Sequence, residues 1–292
     1  MCDLNSETAI DALVALGVPL ALQTGLPSID NLLQNDLQFG EMSEIVGGSG
    51  AGKTQLCYAI VANTLLHTKF NVAWLDSNGS FRSHRLLEFI NGRGIHDTDF
   101  VNSLLDRICV ARVSDQTQLL DALEFIDDKM ETNNFRLIVI DSVFEMFDDR
   151  QLDENMTRSA VFNSILCRIG ILTDIGCTVL VTSSISKASE GKNDLNKAWT
   201  RQMKSRILVK ESDGLRTLHN LNAGAGALSL PIPLRICRRR ETRPGQPAAV
   251  GGLSETVRDG AGSPSRFVHL RKCLSSIYGV GLSTSRCVYV IK

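Results

Sequence analysis

The stretch GGSGAGKT, Gly47 to Thr54, constrains this chain more than any other part of it. It fits the pattern G-x-x-x-x-G-K-[ST], which forms a loop that wraps phosphate groups. An apolar segment typical of a buried strand precedes it at 40–46, and a segment with apolar residues at helical spacing follows it. Strand, glycine loop and helix in this order predict a nucleotide-binding α/β domain. An ordinary glycine turn is the alternative.

The residue types of this stretch match the chemistry of nucleotide phosphates. Glycines let the backbone bend until its N–H groups converge on phosphate oxygens, and the next helix adds the positive end of its dipole. Lys53 would supply a charge to the β- and γ-phosphates, and Thr54 would offer its hydroxyl to Mg²⁺. The residues predicted to bind ATP are Gly47, Gly48, Ser49, Gly50, Ala51, Gly52, Lys53, Thr54 and Gln55.

Apolar segments alternate with amphipathic ones after this loop. Strands are predicted at 70–76, 106–113, 135–141, 177–183 and 204–210, and helices at 81–94, 116–130 and 156–174. Near-continuous apolar strands alternating with helices indicate a mostly parallel sheet covered by helices on both faces. Ligands of such sheets bind at the carboxyl ends of the strands, where Asp76, Asp141 and Ser183 fall.

Three of these strand ends contain candidate site residues. The apolar strand that ends in Asp141 is typical of the second nucleotide motif, in which the acid holds Mg²⁺ through water beside Thr54. Asp76 and Asn78 follow the second strand, where a Ser-Asn-Gly turn is the alternative interpretation. Ser183 follows the fifth strand and, with Ser184, could contact the γ-phosphate, although serine is a common turn former.

The charges divide the chain into an acidic body and a basic tail. Residues 1–214 contain 19 Lys and Arg against 29 Asp and Glu, whereas residues 215–292 contain 12 against 3. The tail is rich in Gly, Pro, Ala, Ser and Arg without a sustained period, so we expect it to be largely disordered. The expected domains are a short N-terminal helical segment at 1–21, an ATPase core at 22–214 and the tail at 215–292.

The cysteines and the apolar runs limit the classes of protein to which the chain belongs. No C-x-x-C pair occurs, so a zinc site is not indicated. Four cysteines lie in apolar stretches, as core thiols of a reducing compartment do: Cys57, Cys109, Cys167 and Cys177. No run of 18 apolar residues occurs, so we expect no transmembrane helix and no membrane partner. Cytosol and nucleus both fit these residues.

Two loops after predicted strands are candidates for nucleic-acid contact. The loop at 144–155 is acidic, which argues against tight phosphate binding. The loop at 186–204 is richer in lysine and arginine, and Trp199 could stack on a base; a solvated charged loop is the alternative. The basic cluster CRRRETR at 237–243 could contact nucleic acid, a nuclear import receptor or only solvent.

Together these segments resemble the ATPase core of the RecA-like eukaryotic recombinases and, within them, the D-type paralogues of the strand-exchange recombinase. The resemblance covers about residues 22–210, through TGLPSIDNLL, GEMSEIVGGSGAGKTQLC, LDSNGSFRSHRLLEFI, LIVIDSV, VLVTSS and SRILV. It implies a RecA-like fold, ATP and Mg²⁺ as cofactors, and homologous-recombination repair of DNA in the nucleus. It also implies a heteromeric complex with sister paralogues and weak binding to single-stranded or branched DNA.

The resemblance further assigns residues and marks departures from the family. Lys53 and Asn78 take the catalytic positions, and Arg85 falls near the nucleotide base. Active recombinases place a glutamate where Asn78 stands and a glutamine near Ser184, so we expect a weak DNA-dependent ATPase. Only about 20 residues precede the core, where the family has a helical domain, and we expect the last strands of the family's sheet to be missing after residue 214.

Two alternatives to a recombination ATPase remain open from the sequence. A non-catalytic scaffold would use the ATPase fold only to bind partners. Another phosphate-loop enzyme, such as a kinase, would need an acceptor site and a lid, and no such stretch stands out in the sequence.

Overall fold

A computed structural model of the chain describes residues 22–33, 37–147, 158–184, 199–212, 215–221, 232–234 and 267–269. The predicted N-terminal helical segment lies outside these residues, as do most of the loop at 186–204 and most of the basic tail.

A nine-stranded sheet forms the centre of the described chain, in the order β8–β7–β6–β1–β5–β4–β2–β3–β9. The strands are β1 Met42–Gly47, β2 Asn71–Asp76, β3 Ile108–Arg112, β4 Phe135–Asp141, β5 Thr178–Ser184, β6 Ser205–Ser212, β7 Leu215–Asn220, β8 Ile232–Leu234 and β9 Phe267–His269. The strands from β6 to β3 pair in parallel, and β7, β8 and β9 pair antiparallel at the two edges. The predicted α/β class with a mostly parallel sheet is confirmed.

Helices connect the parallel strands. They are α1 Pro27–Leu33, α2 Lys53–His67, α3 Ser83–Asn91, α4 Thr98–Leu105, α5 Gln116–Asp128, α6 Met130–Asn133 and α7 Arg158–Asp174, and a 3₁₀ turn lies at Phe144–Phe147. Helix α4 is absent from the sequence prediction, although Asp97 caps it by accepting a hydrogen bond from the N–H of Phe100 at 2.7 Å. Within the described ranges, no helix is long and apolar enough to cross a membrane.

The sheet separates two hydrophobic cores. Trp74 of β2 belongs to the first core and stacks on Tyr58 of α2, with ring centroids 4.8 Å apart. Trp199 belongs to the second core, where its ring lies 5.4 Å from Phe144 and 5.6 Å from Phe162. Since both faces are covered, side chains that alternate along a strand are apolar on both sides, which explains the continuous apolar runs in the sequence.

The sheet continues beyond the boundary predicted at residue 214. Strand β7 pairs antiparallel with β6, from Ile207 opposite Asn220 to Ser212 opposite Leu215. Leu218 is fully buried in the first core, and this burial gives β7 an apolar anchor. The expectation that the last strands are missing after residue 214 is therefore wrong for this strand, whereas the domain boundaries themselves stay a prediction.

Candidate nucleotide-binding site

The glycine loop connects the end of β1 to the start of α2. Gly50 and Gly52 have φ angles of +74° and +114°, which residues other than glycine rarely adopt. A Cβ atom on Gly47 would lie 2.6 Å from the carbonyl oxygen of Val209, whereas one on Gly48 or Gly50 would meet no described atom within 4 Å. The backbone of β6 therefore lies close against Gly47 at the start of the loop, whereas the tip of the loop at Gly48 and Gly50 has open space around it.

Lys53 lies within the curve of this loop. Its Nζ donates hydrogen bonds to the carbonyl oxygens of Gly47 at 3.0 Å and Gly48 at 2.9 Å. The N–H of Ala51 donates to Gly48 at 3.2 Å, while Ser49 at the tip is exposed. The charge of the lysine is therefore held against the loop, where phosphate oxygens would bind.

Asp141, at the carboxyl end of β4, accepts hydrogen bonds from three hydroxyl groups. Thr54 and Ser80 donate to its Oδ2 at 2.8 and 2.9 Å, and Thr182 donates to its Oδ1 at 2.5 Å. The carboxylate is only 1% exposed. The structure thus brings together Thr54 and Asp141, which the sequence predicted as metal-binding residues, and adds Ser80 and Thr182, which it did not.

The turn after β2 is organised by Asp76. Its Oδ1 and Oδ2 accept hydrogen bonds from the N–H groups of Ser80 at 3.0 Å and Phe81 at 3.3 Å, and Arg112 lies 3.4 Å from Oδ2. The exposed Asn78 accepts a further bond from the N–H of Ser80 at 2.8 Å. Asn78 therefore stabilises a turn at the same edge of the sheet as Asp141, as the turn interpretation requires.

The described residues fit ATP with Mg²⁺. Proteins bind Mg²⁺ at phosphate sites with one or two carboxylates or hydroxyls and complete its shell with phosphate oxygens and water. Asp141 and Thr54 offer this donor set where the glycine loop joins α2. In the described part of the chain, no three His, Cys, Asp or Glu residues converge as a metal site of their own.

Two ionisable side chains of α2 lie behind the loop. Burial raises the pKa of the Cys57 thiol well above its usual value, and the charge of Asp141 raises it further. Burial also raises the pKa of Tyr58, whose hydroxyl oxygen accepts the N–H of Arg82 at 2.5 Å. Both groups are uncharged near neutral pH, so they place no negative charge of their own behind the loop.

Comparison with known proteins identifies the family. The sequence profile of the Rad51 family matches residues 18–216. The chain belongs to the Rad51 family. The expected resemblance to RecA-like recombinases is confirmed, and this family domain covers the glycine loop, Asp141 and the parallel strands.

Three named relatives of this Rad51-family chain have RAD51 or RadA in their names. The mouse "DNA repair protein RAD51 homolog 4" is 31% identical over 207 residues, which is 68% of this chain and 63% of the relative. "RAD51-like protein 1" of Caenorhabditis briggsae is 32% identical over 224 residues, 75% of this chain and 88% of the relative. "DNA repair and recombination protein RadA" of Methanococcus voltae is 27% identical over 206 residues. The match thus spans less than two thirds of the mouse relative.

The residues predicted on the base side and on the γ-phosphate side differ in the partners that they have. Arg85 donates from Nε to Gln55 Oε1 at 2.6 Å and lies 4.8 Å above the ring of Phe89. The hydroxyl of Ser183 is buried and has no hydrogen-bond partner among the described residues, and Ser184 is half-buried. Their predicted contacts with nucleotide remain predictions.

The hypothesis that Trp199 stacks on a base is wrong for this structure. Its side chain is 1% exposed and packs between Phe144 and Phe162. Its Nε1 donates to Glu44 Oε1 at 3.2 Å, and Arg206 Nε donates to Glu44 Oε2 at 2.8 Å. A carboxylate that is 1% exposed requires such partners, and the indole N–H supplies one of them.

Proposed function

We propose that this chain binds ATP with Mg²⁺ and acts as a Rad51 paralogue in homologous-recombination repair of DNA. In the proposed role it belongs to a heteromeric complex of sister paralogues and assists the main recombinase on single-stranded DNA. The hydrogen bond of 2.8 Å from Thr54 to Asp141, where the glycine loop joins α2, is the main support for nucleotide binding. Family membership and the relatives' names support the role in recombination.

In the proposed site, one group of residues would bind the phosphates and a second group would bind the cation. Backbone N–H groups of the glycine loop and the ammonium of Lys53 would bind phosphate oxygens. Thr54 and Asp141 would hold Mg²⁺, which neutralises phosphate charge when bound, while Gln55 and Arg85 would border the base. Each of these side chains lies at the carboxyl edge of the sheet or on a helix that begins there.

Titration with a fluorescent ATP analogue, with and without Mg²⁺, tests the nucleotide site. We expect Lys53→Ala to weaken binding about tenfold or more, because it removes charge-assisted hydrogen bonds to phosphate. Lys69→Ala is the matched control, since it removes an exposed lysine just beyond the opposite end of α2. Binding by Lys53→Ala as tight as that of the parent chain would show that the site is wrong.

We propose that binding to single-stranded or branched DNA is weak and falls steeply with salt. The body of the chain is acidic overall, whereas the tail is basic and the loop at 186–204 contains five Lys and Arg. Fluorescence anisotropy with a labelled oligonucleotide at two salt concentrations measures this dependence, and a salt-insensitive complex would contradict the proposal.

A non-catalytic scaffold is the second candidate, and Asn78 favours it. An amide cannot accept a proton near neutral pH, and this one already accepts the N–H of Ser80. If the scaffold is correct, Lys53→Ala will lose ATP but still capture partners at the parental level. Loss of partner capture together with ATP binding favours the ATP-dependent mediator.

The proposal includes the organisation and location of the chain. It keeps an N-terminal helical segment at 1–21, an ATPase core at 22–214 and a basic tail at 215–292, of which strand β7 packs on the core, and it assigns the protein to the nucleus. Imaging of the tagged chain would contradict this location if the signal were confined to the cytosol after DNA damage.

A further inference from the structure

A basic side chain beyond residue 214, where the sequence predicts the end of the core, reaches the tip of the glycine loop. Arg216 of β7 places Nη2 3.4 Å from the carbonyl oxygen of Gly50 and 3.1 Å from Glu211 Oε2. The arginine side chain is 21% exposed. Its Nε is buried and has no hydrogen-bond partner among the described residues.

The register of the adjacent strands β1, β6 and β7 places this arginine beside the loop. Gly47, the last residue of β1, lies opposite Val209 of the parallel strand β6. Two residues further along β6, Glu211 lies opposite Arg216 of the antiparallel strand β7. The β6–β7 hairpin therefore folds back at the same edge of the sheet as the loop, and the guanidinium spans from Glu211 to Gly50.

The tip of the loop needs such a contact more than its base does. Gly50 is exposed, has no side chain and adopts a left-handed conformation with open space around it. Ordering such a residue costs conformational entropy, which packing at this position does not offset. A hydrogen bond from a charged donor is stronger than one from a neutral donor and can hold this carbonyl in place.

The position of that carbonyl determines the direction of the next N–H group. The peptide that joins Gly50 to Ala51 is planar, so its oxygen and its N–H point in opposite directions. While the oxygen points to Arg216, the N–H of Ala51 points into the loop, where it donates to Gly48 at 3.2 Å. That hydrogen bond closes the turn at the loop tip, and the turn fixes the course of the backbone whose other N–H groups would face a phosphate.

We propose that Arg216 is a positioning residue of the phosphate loop and that Glu211 orients it. Arg216 holds the Gly50–Ala51 peptide with its N–H toward the loop interior, so that the loop is preorganised for phosphate. This inference rests on the proposed nucleotide function for its consequence, but the ordering of the loop can be measured without nucleotide.

The experiment uses the full chain and two measurements. Millisecond hydrogen exchange, without nucleotide, follows the amides of residues 48–52, and titration with the fluorescent ATP analogue follows affinity. We expect Arg216→Ala to speed exchange and weaken ATP binding roughly fivefold each, as for one partly exposed charge-assisted hydrogen bond. Arg216→Lys should recover part of both, because the ammonium keeps the charge but lies at the end of a shorter side chain without the planar guanidinium.

The control is Lys210→Ala, which removes one exposed positive charge from the same hairpin. If Arg216→Ala changes loop exchange no more than Lys210→Ala does, the inference is overturned. It is also overturned if exchange rises equally throughout β6 and β7 and the melting temperature falls, since Arg216 would then only stabilise the hairpin. If the parent chain binds no nucleotide, the proposed function fails, while loop exchange still decides the role of Arg216.

Discussion

Asp76 and Asp141 end neighbouring strands, lie opposite each other in the register of β2 and β4, and are both buried. Their hydrogen-bond partners nevertheless differ in kind. Asp76 accepts backbone N–H groups from its own turn and lies beside Arg112. Asp141 accepts the hydroxyls of Thr54, Ser80 and Thr182, which come from three other parts of the chain.

The difference shows how two identical side chains at one edge of a sheet come to serve different purposes. A backbone N–H is a fixed donor, so Asp76 must keep its oxygens in place to accept the N–H groups of its turn. A hydroxyl rotates and can donate or accept, so the oxygens around Asp141 can rearrange when a cation binds. Asp76 is therefore suited to stabilising a fixed turn, whereas Asp141 is suited to binding a cation.

The largest expected effect concerns Asn78, in the turn that Asp76 organises. A positioned general base contributes about 10²- to 10⁴-fold in rate, and an amide cannot act as one. We expect Asn78→Glu to raise ATP turnover by about a hundredfold, measured under single-turnover conditions, with little change in ATP affinity. Turnover by the parent chain at the rate of an active recombinase, without gain from the glutamate, would contradict the assignment.

The comparison itself is tested by making the same substitution at both aspartates. Asp141→Asn should remove most of the Mg²⁺ stimulation of ATP binding, by about tenfold, with little loss of stability, because the hydroxyls can reorient around the amide. Asp76→Asn should lower the free energy of unfolding by about 1–2 kcal/mol, because the amide NH2 that replaces one oxygen cannot accept an N–H hydrogen bond. Denaturant unfolding and nucleotide titration measure the two effects, and the reverse pattern would break the distinction.

A smaller effect is expected at Ser80, which links the two aspartates. Its N–H donates to Asp76 and its hydroxyl to Asp141. Ser80→Ala should raise the Mg²⁺ concentration needed for half-maximal ATP binding about threefold, as for the loss of one hydrogen bond, and Ser80→Thr should retain most of the function. Ser103→Ala, at a serine of α4 that bonds only locally to Phe100, serves as control. Equal behaviour of the alanine and threonine variants would exclude a role for the hydroxyl.

The sequence predicts the parts of the site that have strong local patterns. The glycine loop follows from its own spacing, and the strand predicted at 135–141 coincides with β4 because its apolar run ends abruptly at an acid. Helix α4 spans only 8 residues, too few for a helical period to stand out, and its cap at Asp97 is its clearest signal. The boundary at residue 214 rests on composition, and composition does not show that Leu218 is buried in the core.

The remaining site residues depend on contacts between distant parts of the chain. Ser80 and Thr182 are ordinary hydroxyl residues until the register of β2, β4 and β5 brings them to Asp141. Arg216 reaches the loop only through the β6–β7 hairpin. Trp199 follows a charged stretch that suggests solvent, and only its contacts with Phe144, Phe162 and Glu44 show that its indole is buried.

The placement of the two tryptophans gives the molecule a built-in pair of optical probes. The chain contains only Trp74 and Trp199, and both are buried, one in each of the two cores. Trp74 lies in the strand that leads into the Asp76 turn, whereas Trp199 contacts Glu44, three residues before the glycine loop. Emission from Trp74→Phe and Trp199→Phe variants would therefore report the two faces of one sheet separately, without an added dye.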